Sequence, residues 1–181
     1  MAPCLLTVGH GTASQAGFTK LLGDAGVTRL VDVRRYPGSL AHPHASREAL
    51  ARWLPEVGIG YRWEEQLGGR RRLPAESPDR WWRVDAFRAY AHYMRSYAFL
   101  GAMNRLLTEL EEATTAVMCS ESLWWRCHRR LIADDFTARG WQVLHLMAPG
   151  KVQPHPLNPA ARMRDDVLRY PPAGDDQVAL F

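Results

Sequence analysis

A chain of 181 residues, 46% hydrophobic and 23% charged, suits one soluble globular domain with a full core and a tail. No apolar stretch is long enough to cross a bilayer, and three cysteines are too few for a disulfide scaffold, so a membrane span and a stapled secreted fold are both excluded. The formal charge is +4 and every basic residue except Lys20 and Lys151 is arginine, which suits a polyanionic partner such as DNA or a nucleotide, although charge alone leaves an ordinary basic protein equally open.

The start, Met1-Ala-Pro-Cys-Leu-Leu-Thr-Val-Gly, has neither the basic head nor the cleavage site of a signal peptide and reads as a first strand, with a cytoplasmic location expected. Gly9-His10-Gly11 closes that strand with a tight loop. Phe18, Leu21, Leu22 and Ala25 recur at helical spacing, and Gly26 ends the helix. Arg29 to Arg34 is a second strand, broken by Tyr36-Pro37-Gly38. Ser46 is an N-cap for a helix that carries Ala49, Leu50, Trp53 and Leu54 on one face. Ile59 to Trp63 reads as a third strand, and residues 65–83 as a long loop containing Gly68-Gly69 and Trp81-Trp82. Asp85 is expected to cap a helix through Phe87, Tyr90, Ala91 and Met94, and Phe99 to Leu110 forms the next. Ala116 to Cys119, a helix after Cys127, and Val143 to Met147 complete the series. Strands alternating with helices predict an α/β fold, a mainly parallel sheet of about five strands with helices on both faces, over residues 1–147. Six prolines from Pro149 to Pro172 argue against a continuous helix or strand beyond it, so 148–181 is read as an extended arm or flexible tail.

Chemistry concentrates in Cys119-Ser-Glu-Ser-Leu-Trp-Trp-Arg-Cys-His-Arg-Arg130, between the fourth apolar run and a helix. A strand that ends in reactive side chains and feeds a helix is where α/β proteins build sites. Cys127 stands at the helix start, where the macrodipole and Arg126, Arg129 and Arg130 favour a thiolate. The functional reading is a nucleophilic or redox thiol at Cys119 or Cys127, with Glu121 or His128 carrying protons and an arginine holding an anion. The alternative makes Cys119 a small core residue and His128 an exposed one. Cys119, Glu121, Cys127 and His128 are also metal-capable, with His10 or His145 in reserve, yet the usual zinc spacings are absent and no cofactor is assigned. Strand ends share one rim of a parallel sheet, so His10, Asp32 and Arg34 are expected to converge on this loop, unless Asp32 and Arg34 form a structural ion pair. Trp81, Trp82, Trp124 and Trp125 lie beside arginines, in position either to stack on nucleotides or to fill core.

The chain ends Gly-Asp-Asp-Gln177-Val-Ala-Leu180-Phe181. This resembles the short peptide by which bacterial replication and repair proteins dock on the sliding clamp. Leu180 and Phe181 would enter an apolar cleft while Gln177 makes directional hydrogen bonds.

Thr7-Val-Gly-His10, Val31-Asp-Val-Arg34 with Pro37 and Ser39, Tyr61, Leu67-Gly-Gly69, Phe87, Tyr90-Ala91, Tyr93-Met94, Cys119-x-Glu121 and Cys127-His-Arg129 together resemble the DUF488 family, an uncharacterised bacterial family. Trp124 departs from the proline that many members carry there. The family name implies no reaction, and a loose DNA-repair label on some members agrees with the tail. A weaker likeness to rhodanese domains rests on the Asp-x-Arg strand and the cysteine loop. The leading expectation is a nucleic-acid-associated protein of DNA repair or maintenance. The alternatives are a thiol-dependent enzyme acting on a phosphate-bearing or electrophilic small molecule, and a non-catalytic binding module.

Overall fold

Residues that alternate along a strand point to opposite faces of its sheet, and here both faces are apolar. The computed structural model describes residues 4–172. In β1 (Cys4–Gly9) Leu5 enters one core and Leu6 and Val8 the other. In β4 (Thr115–Cys119) Val117 faces the first core while Ala116 and Met118 face the second. Such strands are covered on both sides, as parallel strands must be. α1 (Gln15–Asp24) and α2 (Arg47–Glu56) cover one face, and α3 (Asp85–Tyr93), α4 (Tyr97–Glu112) and α5 (Arg129–Ala138) the other.

With β2 (Arg29–Asp32), β3 (Gly60–Trp63), β5 (Gln142–Ala148) and β6 (Lys151–Pro154), the sheet runs β3-β2-β4-β1-β5-β6. The first five strands in that order are parallel and β6 is antiparallel to β5. The fold class read from the sequence is the one found, with six strands rather than about five.

Ser14, Ser46 and Ser96 cap α1, α2 and α4, each accepting a backbone N–H three residues on. The expected cap at Asp85 is corrected. Val84 holds the cap position without a side-chain bond, and Asp85 is the first helical residue, its carboxylate accepting from Arg88. An acid in the first turn still meets the positive end of the helix dipole.

The expectation of no strand after residue 147 is also corrected. β6 adds to the sheet edge, and β7 (Arg162–Arg164) pairs with β8 (Val167–Arg169) as a hairpin. The turn between them puts Asp165 and Asp166 at φ 51° and 61°, the two left-handed positions that a tight hairpin turn needs and that Asp tolerates. The prolines lie at the end of β6, between strands, and after β8. Tyr170 beyond the hairpin is fully buried, so the arm is packed onto the domain as far as this point. Gln177, Leu180 and Phe181 lie outside the described residues.

Gly9 and Cys119 are register partners, and Asp32 pairs with Met118. His10 N–H to Cys119 O at 3.0 Å, and Val33 N–H to Met118 O at 2.9 Å, carry the ladders past the strand ends. The carboxyl ends of β1, β2 and β4 therefore meet side by side. The chain leaves β1, builds β2 and β3 outward, then returns with β4 between β1 and β2.

Candidate active site: thiols in an arginine-rimmed cleft

Cys119 is the last residue of β4, and Cys127 and His128 immediately precede α5. The loop between them folds back because the Leu123 N–H donates to Glu121 Oε1 at 3.0 Å, and a single helical turn at Trp124–Arg126 follows. This return brings the two sulfurs and a ring nitrogen of His128 within 4.8 Å of one another.

His128 Nε2 lies 3.0 Å from Val33 O. A carbonyl oxygen only accepts, so Nε2 carries a hydrogen, and Nδ1 lies 3.7 Å from Cys127 Sγ. Gly69 lies against this ring, where a Cβ would come 2.9 Å from Nδ1. Gly68 is pressed against the backbone of Arg35, 2.7 Å from its nitrogen by the same measure. The Gly68-Gly69 pair thus allows a loop to close over the imidazole, a close approach that any side chain would prevent.

Arg129 is almost fully buried, 1% exposed. Its Nε donates to Cys127 Sγ at 3.4 Å, Nη1 to Thr7 Oγ1 at 3.3 Å, and Nη2 to Glu121 O. None of these partners is a carboxylate. A buried guanidinium keeps its charge, so the group that can balance it is the sulfur beside it. Burial alone would push the Cys127 thiol up. A hydrogen bond from the Cys119 thiol and the Arg129 guanidinium outweigh that and bring Cys127 down to about 6. Cys119 moves the opposite way, to about 12, because its proton is shared toward Cys127 and because it is buried. The two shifts run in opposite directions, so Cys127 is the sulfur that more readily bears the charge and Cys119 the one that keeps its proton.

Asp32 is buried and holds Arg34 in a two-pronged pair, with Nη2 to Oδ2 at 2.6 Å and Nε to Oδ1 at 2.8 Å. The Arg34 backbone N–H at 3.1 Å and Tyr61 OH at 2.8 Å donate to the same carboxylate. Arg34 Nη1 lies 3.4 Å from His10 Nε2. Burial and the Arg34 charge lower His10 to about 4, so its imidazole stays neutral and presents a lone pair to the guanidinium.

Cys119, Cys127 and His128 open into a cleft of about 310 Å³. Arg34, Arg35, Arg70 and Arg126 line it, and Glu121 is the one acid among its lining residues. Arg35 Nη1 donates to Arg70 O at 2.9 Å, which ties two sides of the rim. Arg70 has φ 55°, a left-handed backbone that costs a non-glycine residue about 1 kcal/mol or more.

The expected residues divide as follows. Cys119, Glu121, Arg126, Cys127, His128 and Arg34 line the cleft. Asp32 supports Arg34 from below, and His10 touches Arg34. Arg129 points away from the cleft into the protein, and Arg130 lies over the Trp82 ring instead. Sequence reasoning missed Arg35, Arg70 and Phe87 in the lining, together with Thr7 behind Arg129. The run Gly68-Gly69-Arg70 was visible as a signal for Arg70.

A soft metal ion could be held by Cys119, Cys127 and His128. Glu121, His10 and His145 are not in that group. The surrounding guanidinium groups oppose a cation here and favour an anion. His145 instead belongs to a buried chain. Thr7 Oγ1 lies 2.7 Å from His145 Nδ1, and His145 Nε2 lies 2.9 Å from His155 Nδ1. His155 Nε2 donates to Asp134 at 2.9 Å, and Tyr170 OH donates to the same carboxylate at 2.8 Å. Trp124 stacks on His145 at 4.3 Å, so this indole packs inside the protein.

Among the described residues, no helix is long and apolar enough to cross a membrane. No curated protein and no solved structure matches the chain. A family model described as a domain of unknown function, DUF488, matches residues 14–136, which takes in every residue lining the cleft. The chain belongs to the DUF488 family.

Proposed function

We propose that this chain is a cysteine-dependent enzyme acting on a small, phosphate-bearing electrophile. The observation that carries the reading is a buried guanidinium with a cysteine sulfur as its anionic partner, at the floor of a cleft rimmed by four further arginines. The rim arginines hold the anionic group and aim an electrophilic carbon at Cys127 Sγ. The sulfur attacks through its lone pair, and the leaving group departs with the bonding electrons. Cys127 enters as the thiolate, so this step removes no thiol proton; the leaving group takes its proton from solvent, and His128, with Nε2 held on Val33 O, places its ring beside the sulfur.

Two small probes test this reading. Iodoacetate and iodoacetamide react with a thiolate in the same way and differ in charge. Cys127 is expected to favour iodoacetate over iodoacetamide relative to free cysteine, and inorganic phosphate should suppress both reactions. The free-cysteine ratio, unaffected by phosphate, would remove the anion-gripping thiolate.

A second reading, a nucleic-acid-associated protein of DNA maintenance recruited to the sliding clamp, is supported by the tail sequence at Gln177, Leu180 and Phe181 and by the arginine excess. Titration of purified clamp with the chain and with a version ending at residue 176 tests it. Equal binding by both, or none by either, removes the recruitment.

A further inference from the structure

Beyond Phe87, which lines the cleft, lies a second groove of about 600 Å³ that shares this side chain. Trp81, Trp82 and Val84 form its apolar part, and Arg80, Arg83 and Arg130 are its charged residues. No acid lines it. Large apolar and aromatic side chains lining an open groove mark a binding surface when charge complementarity identifies the occupant. Val84 is 55% exposed. The Arg130 guanidinium sits 4.9 Å over the Trp82 ring, and Trp81 meets that ring edge-on at 4.9 Å. Trp82 is only 4% exposed, yet its Nε1–H has no hydrogen-bond partner among the described residues. A buried indole donor without an acceptor is costly, and Trp82 carries that cost beside the groove.

We propose that the cleft and this groove form one two-part site for a nucleotide, with the phosphate between the rim arginines and the base in the Trp81–Trp82–Phe87 groove. The proposal rests on the anion-binding reading of the cleft and names its substrate class. A nucleobase suits the groove in three ways: a flat π-face for Trp81 and Phe87, carbonyl or ring-nitrogen acceptors for Arg80, Arg83 and Arg130, and covalent attachment through a sugar to an anion. Phe87 then lies between the two parts, beside the sugar.

Protection of Cys127 from iodoacetamide, followed by mass spectrometry of the intact chain, reads both parts separately. Inorganic phosphate, ribose phosphate and AMP are compared on the wild type and on Trp81→Ala and Arg83→Ala. AMP is expected to protect at a concentration at least tenfold below that of ribose phosphate, and each substitution should erase most of that advantage. Equal protection by AMP and ribose phosphate overturns the base groove while leaving the phosphate grip in place. No protection by any of the three overturns the anion-binding reading itself. A short single-stranded oligonucleotide that protects far better than AMP overturns the mononucleotide in favour of a nucleic-acid strand. An AMP advantage that appears only in a chain ending at residue 172 makes the tail the occupant, and also overturns the proposal.

Discussion

Cys127 has its pKa lowered to about 6, well below an ordinary thiol, because the Cys119 thiol and Arg129 stabilise its charged form more than burial penalises it. Its alkylation by iodoacetamide should therefore rise with pH to half its plateau near pH 6, where a free thiol does so near about 8.5. Cys119→Ala removes the donor and should move that midpoint upward. A midpoint at the free-thiol value in the wild type would show that Arg129 is balanced by some other group. Gly9 makes a different prediction. A Cβ there would come 2.0 Å from the Glu121 carbonyl oxygen, the atom that accepts from Arg129 Nη2. Backbone cannot yield as a flexible side-chain tip can, so Gly9→Ala should cost about 3 kcal/mol or more in urea unfolding, a core-overpacking penalty. A loss under about 1 kcal/mol would mean that the loop slides freely. That Gly9 is a glycine was legible in the sequence. The reason was not, because Gly9 and Glu121 are far apart along the chain.

At the scale of elements, the inner strands were legible because burial on both faces leaves continuous apolar runs, as at Thr115–Cys119, whereas the exposed and proline-flanked β6 to β8 leave none. Helix starts were legible where a serine stood at the boundary, as at Ser46, and misread at Asp85, where an acid in the first turn looks like a cap. The arginines around α5 were harder to place. Three neighbours read as one basic cluster, yet Arg126 enters the cleft, Arg129 turns inward, and Arg130 lies on Trp82. Only the helical turn at their junction separates them.

The end of β1 also sets a pH dependence. His10 is lowered from 6.5 to about 4 by burial and by Arg34, with the Gly11 carbonyl and Asp32 pulling the other way and His42 adding to the lowering. The folded state resists protonation, so the unfolded chain binds the extra proton below pH 6.5. The contribution of His10 to stability is thus full above 6.5 and lost as pH falls toward 4. From pH 7 to pH 5 the wild type should lose about 2 kcal/mol more than His10→Gln in urea titrations. Parallel losses in the two proteins would show that His10 is not the group concerned.

Across the whole molecule, a buried hydrogen-bonded series joins the segment after β8 to the reactive sulfur. Tyr170 and His155 bond Asp134, His155 bonds His145, His145 bonds Thr7, and Thr7 accepts from Arg129, which touches Cys127. The Asn158 N–H also donates to Asp134, at 2.9 Å. The family match ends at residue 136, so His145, His155 and Tyr170 lie outside it while the cleft lies within. The sequence showed these residues as an isolated histidine in a strand and part of a proline-rich arm. Pairings between Asp134 and Tyr170 become visible only once the chain has folded. Asp134→Ala leaves three buried donors without an acceptor, and removal of one partner from such a network costs about 3–5 kcal/mol. Tyr170→Phe removes one donor to the buried carboxylate and should cost about 2 kcal/mol. If the series also orients Arg129, Asp134→Ala should raise the midpoint of Cys127 alkylation in protein that circular dichroism shows to be still folded. Tyr170→Phe, at the far end with the carboxylate intact, should leave the midpoint in place. An unchanged midpoint in Asp134→Ala would confine the network to stability and leave Thr7 and the Glu121 carbonyl as sufficient supports for the guanidinium.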